Sequence, residues 1–165
     1  MLKSIGAGYV IGVMAHFYKE CDNHIAGAAL FGIGLLVICQ CKLNLFTGKI
    51  GTTRFDKCIP ILLGNMLGVS FAILCLRLMP EIVADAVACG ALMQMAVTLY
   101  KKHPWATVAC VAAFLFGGFR HCIAMLYMAE LTADYWLEFL AVVFYNGFGA
   151  WCAATLGVVD TTSES

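Results

Sequence analysis

Charge is what this chain lacks. Only 12% of its residues are Asp, Glu, Lys or Arg, against about 25% in a typical soluble domain, which excludes an ordinary water-soluble fold. Ten basic and ten acidic residues cancel to a formal net charge of zero. No basic face is left to neutralise phosphates, so a nucleic-acid partner is excluded. An A-x-A-like cleavage site is missing from the Gly-rich apolar stretch that follows Met1–Lys3, and no cleavable signal peptide is expected. There is no H-E-x-x-H, and no carboxylate pair shares an apolar stretch in a way that suits catalysis, so the chain does not read as an enzyme. His16 and Glu20 stand at i, i+4, the spacing of a surface pair at a helix end.

Paired cysteine spacings of the metal-binding kind, such as repeated C-x-x-C, are also missing. Most of the nine cysteines, Cys39, Cys41, Cys75, Cys89, Cys110, Cys122 and Cys152 among them, fall inside apolar runs and read as small packing residues. No metal and no cofactor are expected.

What is present is hydrophobicity: 62% of the residues are apolar and the mean hydropathy is +0.89. The chain reads as an all-α membrane protein with the lipid bilayer as its partner. A spanning helix needs about 20 mainly apolar residues, and six such stretches are visible, at 3–18, 24–47, 57–79, 82–100, 104–127 and 135–158. The last residues, 161–165, read as a disordered tail to a single transmembrane domain of residues 1–160. With the N-terminus inside, the inner segments hold Lys3, Lys49, Arg54, Lys57, Lys101 and Lys102, and the outer loops only Lys19 and Arg77. That asymmetry puts both termini in the cytoplasm, and a multi-pass chain in the plasma (inner) membrane is expected.

Two of the six stretches are interrupted by polar residues, LFTG at Leu45–Gly48 and FRHC at Phe119–Cys122. Backbone breaks at membrane depth survive only where they line a cavity or pore. Matching breaks in two halves of a chain point to a site between repeats. Three spans reverse the direction of the chain, so the repeats, about 1–80 and 81–160, would be inverted. GNMLG at Gly64–Gly68 matches YNGFG at Tyr145–Gly149, with the two asparagines 81 residues apart. Small residues four apart let helices approach closely, and each Asn supplies an interhelical hydrogen bond.

His121 lies in the second break. An ionisable side chain within a span costs at least about 2.5–3.5 kcal/mol on insertion scales, and usually faces the bundle interior or a watery path. A proton-coupled step and a neutral imidazole that merely ties the bundle together both fit that position. Arg120 beside it would present a fixed positive field that draws anions and holds His121 neutral, or else would point to lipid phosphate or to an acid such as Asp85. Thr47 ends an apolar run and could donate to a passing anion or bond back to its own helix. Gly48 after it supplies backbone freedom to the first break. Lys42, near that break, has snorkelling to the inner interface as its default explanation.

These residues resemble the signatures of the formate/nitrite transporter family over essentially the whole chain. The family's E-L-F-T-G-N stands here as Asn44-Leu45-Phe46-Thr47-Gly48-Lys49, and its G-F-E-H-S-x-A-N-M as Gly118 to Leu126. The chain departs from the pattern at both signature glutamates, replaced by Asn44 and Arg120, and at Gly90, which stands for the Asn of C-N-W. The resemblance implies an aquaporin-like fold of two inverted three-helix repeats with broken second and fifth helices, assembled as a homopentamer with a pore in each protomer. It implies passage of small monovalent anions such as formate, nitrite, hydrosulfide or short monocarboxylates, with proton coupling through the central His121. It places an inner constriction at Leu35, Leu45 and Phe46 and an outer one at Phe31, Phe114 and Met93; plain helix packing is the other reading of Phe114. A channel for neutral solutes and a non-transporting oligomeric scaffold are the rival functions.

Overall fold

The computed structural model describes residues 1–116, 118, 120–128 and 133–159, apart from the side chains of Phe114, Phe116, Met128, Ala133 and Asp134. Phe119 and the tail at 161–165 lie outside the described residues, as does the side chain of Phe114. The described secondary structure is helical throughout: α1 (Leu2–Glu20), α2 (His24–Gln40), α3 (Phe46–Lys49), α4 (Phe55–Leu76), α5 (Glu81–Tyr100), α6 (Pro104–Phe116), α7 (Cys122–Met128) and α8 (Ala133–Thr155). Helix starts follow local chemistry. Asn23 Oδ1 accepts the Ile25 and Ala26 N–H groups at 3.0 and 3.2 Å and caps α2. Pro80 precedes α5 and Glu81 occupies its first turn, where the helix dipole favours an acid.

Among the described residues three helical segments are long and apolar enough to cross a membrane, Phe55–Leu76, Glu81–Tyr100 and Tyr135–Thr155. The stretches expected at 24–47 and 104–127 are cut short, because α2 has 17 residues and α6 has 13 before the backbone breaks. Lys3, Lys19 and Glu20 charge the two ends of α1.

The first break is not where the LFTG residues put it. Phe46–Lys49 form a helical turn, and the irregular backbone runs through residues 41–45. The residue with left-handed backbone is Lys42, at φ 52°, whereas Gly48 lies within the turn. With Lys42 in that conformation its N–H donates to the Cys39 carbonyl at 3.2 Å, and the Leu43 N–H to the Ile38 carbonyl at 2.9 Å. This satisfies the last carbonyls of α2 as a Schellman cap does. At the end of α6 the corresponding residue is Gly118, at φ 65°, whose N–H donates to the Leu115 carbonyl at 3.3 Å.

The same contacts recur in both halves. α1 packs along α4 and carries α2, and α5 packs along α8 and carries α6. Both helix pairs are too close for side chains at the crossing. A Cβ on Gly8 would overlap the Asn65 backbone, and a Cβ on Gly90 would overlap that of Asn146. α5 lies at the centre, with Ala86 to Leu92 buried without interruption, so small residues cover every face of this segment.

At each crossing an asparagine turns inward. Asn65 Nδ2 donates to the Ser4 carbonyl at 2.7 Å and the Asn44 carbonyl at 2.9 Å, while its Oδ1 accepts the Phe46 N–H at 2.8 Å. Asn146 Nδ2 donates to the Ala86 carbonyl at 2.8 Å and the Arg120 carbonyl at 2.9 Å, and its Oδ1 accepts the Cys122 N–H at 2.9 Å. Each break is thus stapled to the helix pair behind it.

Truncating either staple strands buried backbone groups, at about 1–3 kcal/mol per group. Asn65→Ala and Asn146→Ala should each lower stability by roughly 3 kcal/mol or more, seen as a fall in the unfolding midpoint of detergent-purified protein. Gly147→Ala, where an added Cβ meets nothing within 4 Å, should change it by less than about 0.5 kcal/mol; equal effects at the three positions would contradict the staple. Left-handed backbone at a non-Gly residue costs about 1–2 kcal/mol, so Lys42→Gly should raise the midpoint, and a lowered midpoint would contradict the cap.

Candidate functional site

The second break opens onto a cavity of about 770 Å³. Three parts of the chain line it. His16, Lys19 and Glu20 come from the last turns of α1, Arg77, Glu81 and Asp85 from the junction of α4 and α5, and Gly118 and Arg120 from the break itself. His16 and Glu20, expected as a surface pair, face this cavity. Lys19 pairs with Glu20 at 3.3 Å at its exposed rim.

Arg120 is held at both ends by α8. Its carbonyl accepts from Asn146, and its guanidinium Nη1 donates to Glu138 Oε1. Both charged side chains are half-buried. The fixed positive field expected of Arg120 is therefore offset by an acid on the neighbouring helix, and that acid is Glu138 rather than Asp85. Asp85 also feels the Arg120 charge, together with those of Glu81 and Glu20. Across the cavity Lys19, Arg77 and Arg120 face an equal number of carboxylates, Glu20, Glu81 and Asp85, so the lining is balanced in charge rather than positive.

His121 immediately precedes α7, and its Nδ1 accepts the Ala124 N–H at 3.5 Å. Asn44 lies in the first break with its carbonyl on Asn65, and Thr47 is exposed on the short α3 turn. Phe31, Leu45 and Met93 pack half-buried against the core, Phe46 is half-buried beside the Asn65 staple, and Leu35 is 49% exposed. Of the residues expected to form the pore only Arg120 lines the cavity; His121, Thr47, Asn44 and the constriction residues Leu35, Leu45, Phe46, Phe31 and Met93 stand outside its lining.

Two features escaped the sequence reading. Glu138 was overlooked although an acid inside an apolar stretch is itself a functional signal. Tyr9 belongs to no motif that would single it out. Its hydroxyl is fully buried and has no hydrogen-bond partner among the described residues, and its ring tilts against Phe71 at 5.7 Å. Among the described residues no group of three or more His, Cys, Asp or Glu side chains converges to hold a metal ion. The chain matches no family model, no curated protein and no solved structure.

Proposed function

We propose that the chain is a membrane channel or secondary transporter for small monovalent anions, a short and divergent relative of the formate/nitrite transporters. One observation carries the reading: the backbone of an apolar helix pair, α6 and α7, breaks beside a cavity of about 770 Å³ and presents Arg120 to it. Lipid tolerates an open backbone only where protein buries it or a watery cavity meets it. A second break, held by an equivalent asparagine in the other half, supports a permeation path between two repeats.

On this reading α1, α2 with α3, and α4 form one three-span repeat. α5, α6 with α7, and α8 form its inverted partner, in an aquaporin-like arrangement. The protein would be a homopentamer in the plasma membrane with both termini cytoplasmic. Arg120 would gather anions at the mouth. His121 and Thr47 would hydrogen-bond them within the breaks, with Asn44 beside Thr47, and the apolar Phe31, Leu35, Leu45, Phe46, Met93 and Phe114 would strip their water. His121, if it relays a proton, would couple the anion to proton movement.

The balanced charge of the cavity lining favours a second reading, a channel for neutral solutes such as urea or undissociated acids. The two differ in their response to voltage. Uptake of formate, nitrite and hydrosulfide into proteoliposomes should exceed that into empty liposomes for at least one anion, respond to membrane potential, and change by about tenfold or more in His121→Asn. Uptake that ignores the potential supports the neutral-solute channel. No uptake from folded protein, together with an unaffected His121 variant, leaves the scaffold reading.

A further inference from the structure

Arg120 is one of three cations that line the cavity, with Lys19 and Arg77, and its guanidinium already meets an anionic side chain. Its partner is the carboxylate of Glu138. Glu138 does not line the cavity, whereas Arg120 does, so the guanidinium bridges the cavity wall and the acid behind it. A guanidinium presents a planar fork of N–H donors that fits carboxylate oxygens and small planar oxyanions better than a spherical ion.

The pair is also absent from the other half of the fold. The register of the two staples sets Asn44 opposite Arg120, and the 81-residue offset between Asn65 and Asn146 sets Lys57 opposite Glu138. Neither position in the first half carries its counterpart's charge, so the ion pair is not required by the scaffold that both halves share. Its place at the cavity wall is what distinguishes the second half.

We infer that Glu138 is a tethered competitor for the anion, so that a small monocarboxylate in the cavity reaches Arg120 by displacing the Glu138 carboxylate. The inference rests on the proposed anion path and deepens it by assigning the ligand class and the residue that sets its affinity. The competition lowers affinity without blocking the route. A half-exposed pair of this kind yields to millimolar anion instead of trapping it, which suits a path that must release what it binds.

The test compares wild type with Glu138→Gln, Glu138→Asp and the double variant Arg120→Gln/Glu138→Gln in proteoliposomes, with formate as the probe and chloride as the spherical control. Removing the competing charge should lower the half-saturating formate concentration about fivefold, the equilibrium equivalent of a half-exposed ion pair. The maximal rate should not rise in proportion, and chloride should gain less. Glu138→Asp, which keeps the carboxylate, should stay near wild type, and the double variant should lose the gain.

A second measurement reads binding without transport: the shift of the thermal unfolding midpoint by formate in detergent, at constant ionic strength. A larger shift at low formate in Glu138→Gln than in wild type, with no flux of formate, nitrite or hydrosulfide in either, upholds the competitor and overturns the transport reading. Equal half-saturation and equal midpoint shifts in wild type and Glu138→Gln overturn the competitor while leaving transport standing. Folded protein that binds no formate and carries none of formate, nitrite and hydrosulfide overturns both.

Discussion

An open backbone inside an apolar bundle must find partners within the protein, and everything else in this structure is arranged around that requirement. Bulk water is not there to take the freed N–H and C=O groups, and an unpaired one costs about 1–3 kcal/mol by mutational measure. Asn65 and Asn146 meet the demand with the same three bonds each, two given to carbonyls and one taken from an N–H. A side-chain amide is the natural residue for this task, because it carries donors and an acceptor on one short, rigid group. The glycines follow from it. Asn65 can reach the Ser4 carbonyl only if α1 and α4 nearly touch, and Gly8 and Gly68 on those helices leave the room.

The two halves share this scaffold but not their charges. The first break carries Asn44, and the second carries Arg120 with Glu138 behind it and a cavity in front. A repeated frame with one charged face lets a single end of the bundle acquire chemistry without disturbing the staples. In the proposed anion path this asymmetry would give the protein one break with an ion pair at a cavity wall and one without it.

Much of the frame was legible in the sequence because it is written in residue types that lipid-facing helices rarely need. GNMLG and YNGFG, set 81 residues apart, identified the asparagines and the close-packed glycines directly. The exact backbone of the first break was not legible. A glycine attracts the expectation of left-handed geometry, yet Gly48 is helical and Lys42 takes that conformation, because the cap on α2 depends on where the helix stops and not on which residue is the most permissive. Partnerships across helices were the least accessible. Nothing in the local pattern around Glu138 says that it meets Arg120, 18 positions earlier, since that contact depends on how α8 is rotated against the break. The cavity is hidden for the same reason, being assembled from the ends of α1, α4 and α5 and the second break.

The central claim is that each break is held by its own asparagine, and amide hydrogen exchange of the protein in lipid nanodiscs tests it most directly. The amides of Phe46 and Cys122 stand at helix starts, where an N–H without a partner exchanges as fast as a loop. The account predicts that both are strongly protected in the wild type. In Asn146→Ala, Cys122 should lose protection while Phe46 keeps it. Fast exchange at both amides in the wild type, or protection at Cys122 that survives the loss of Asn146, would contradict it.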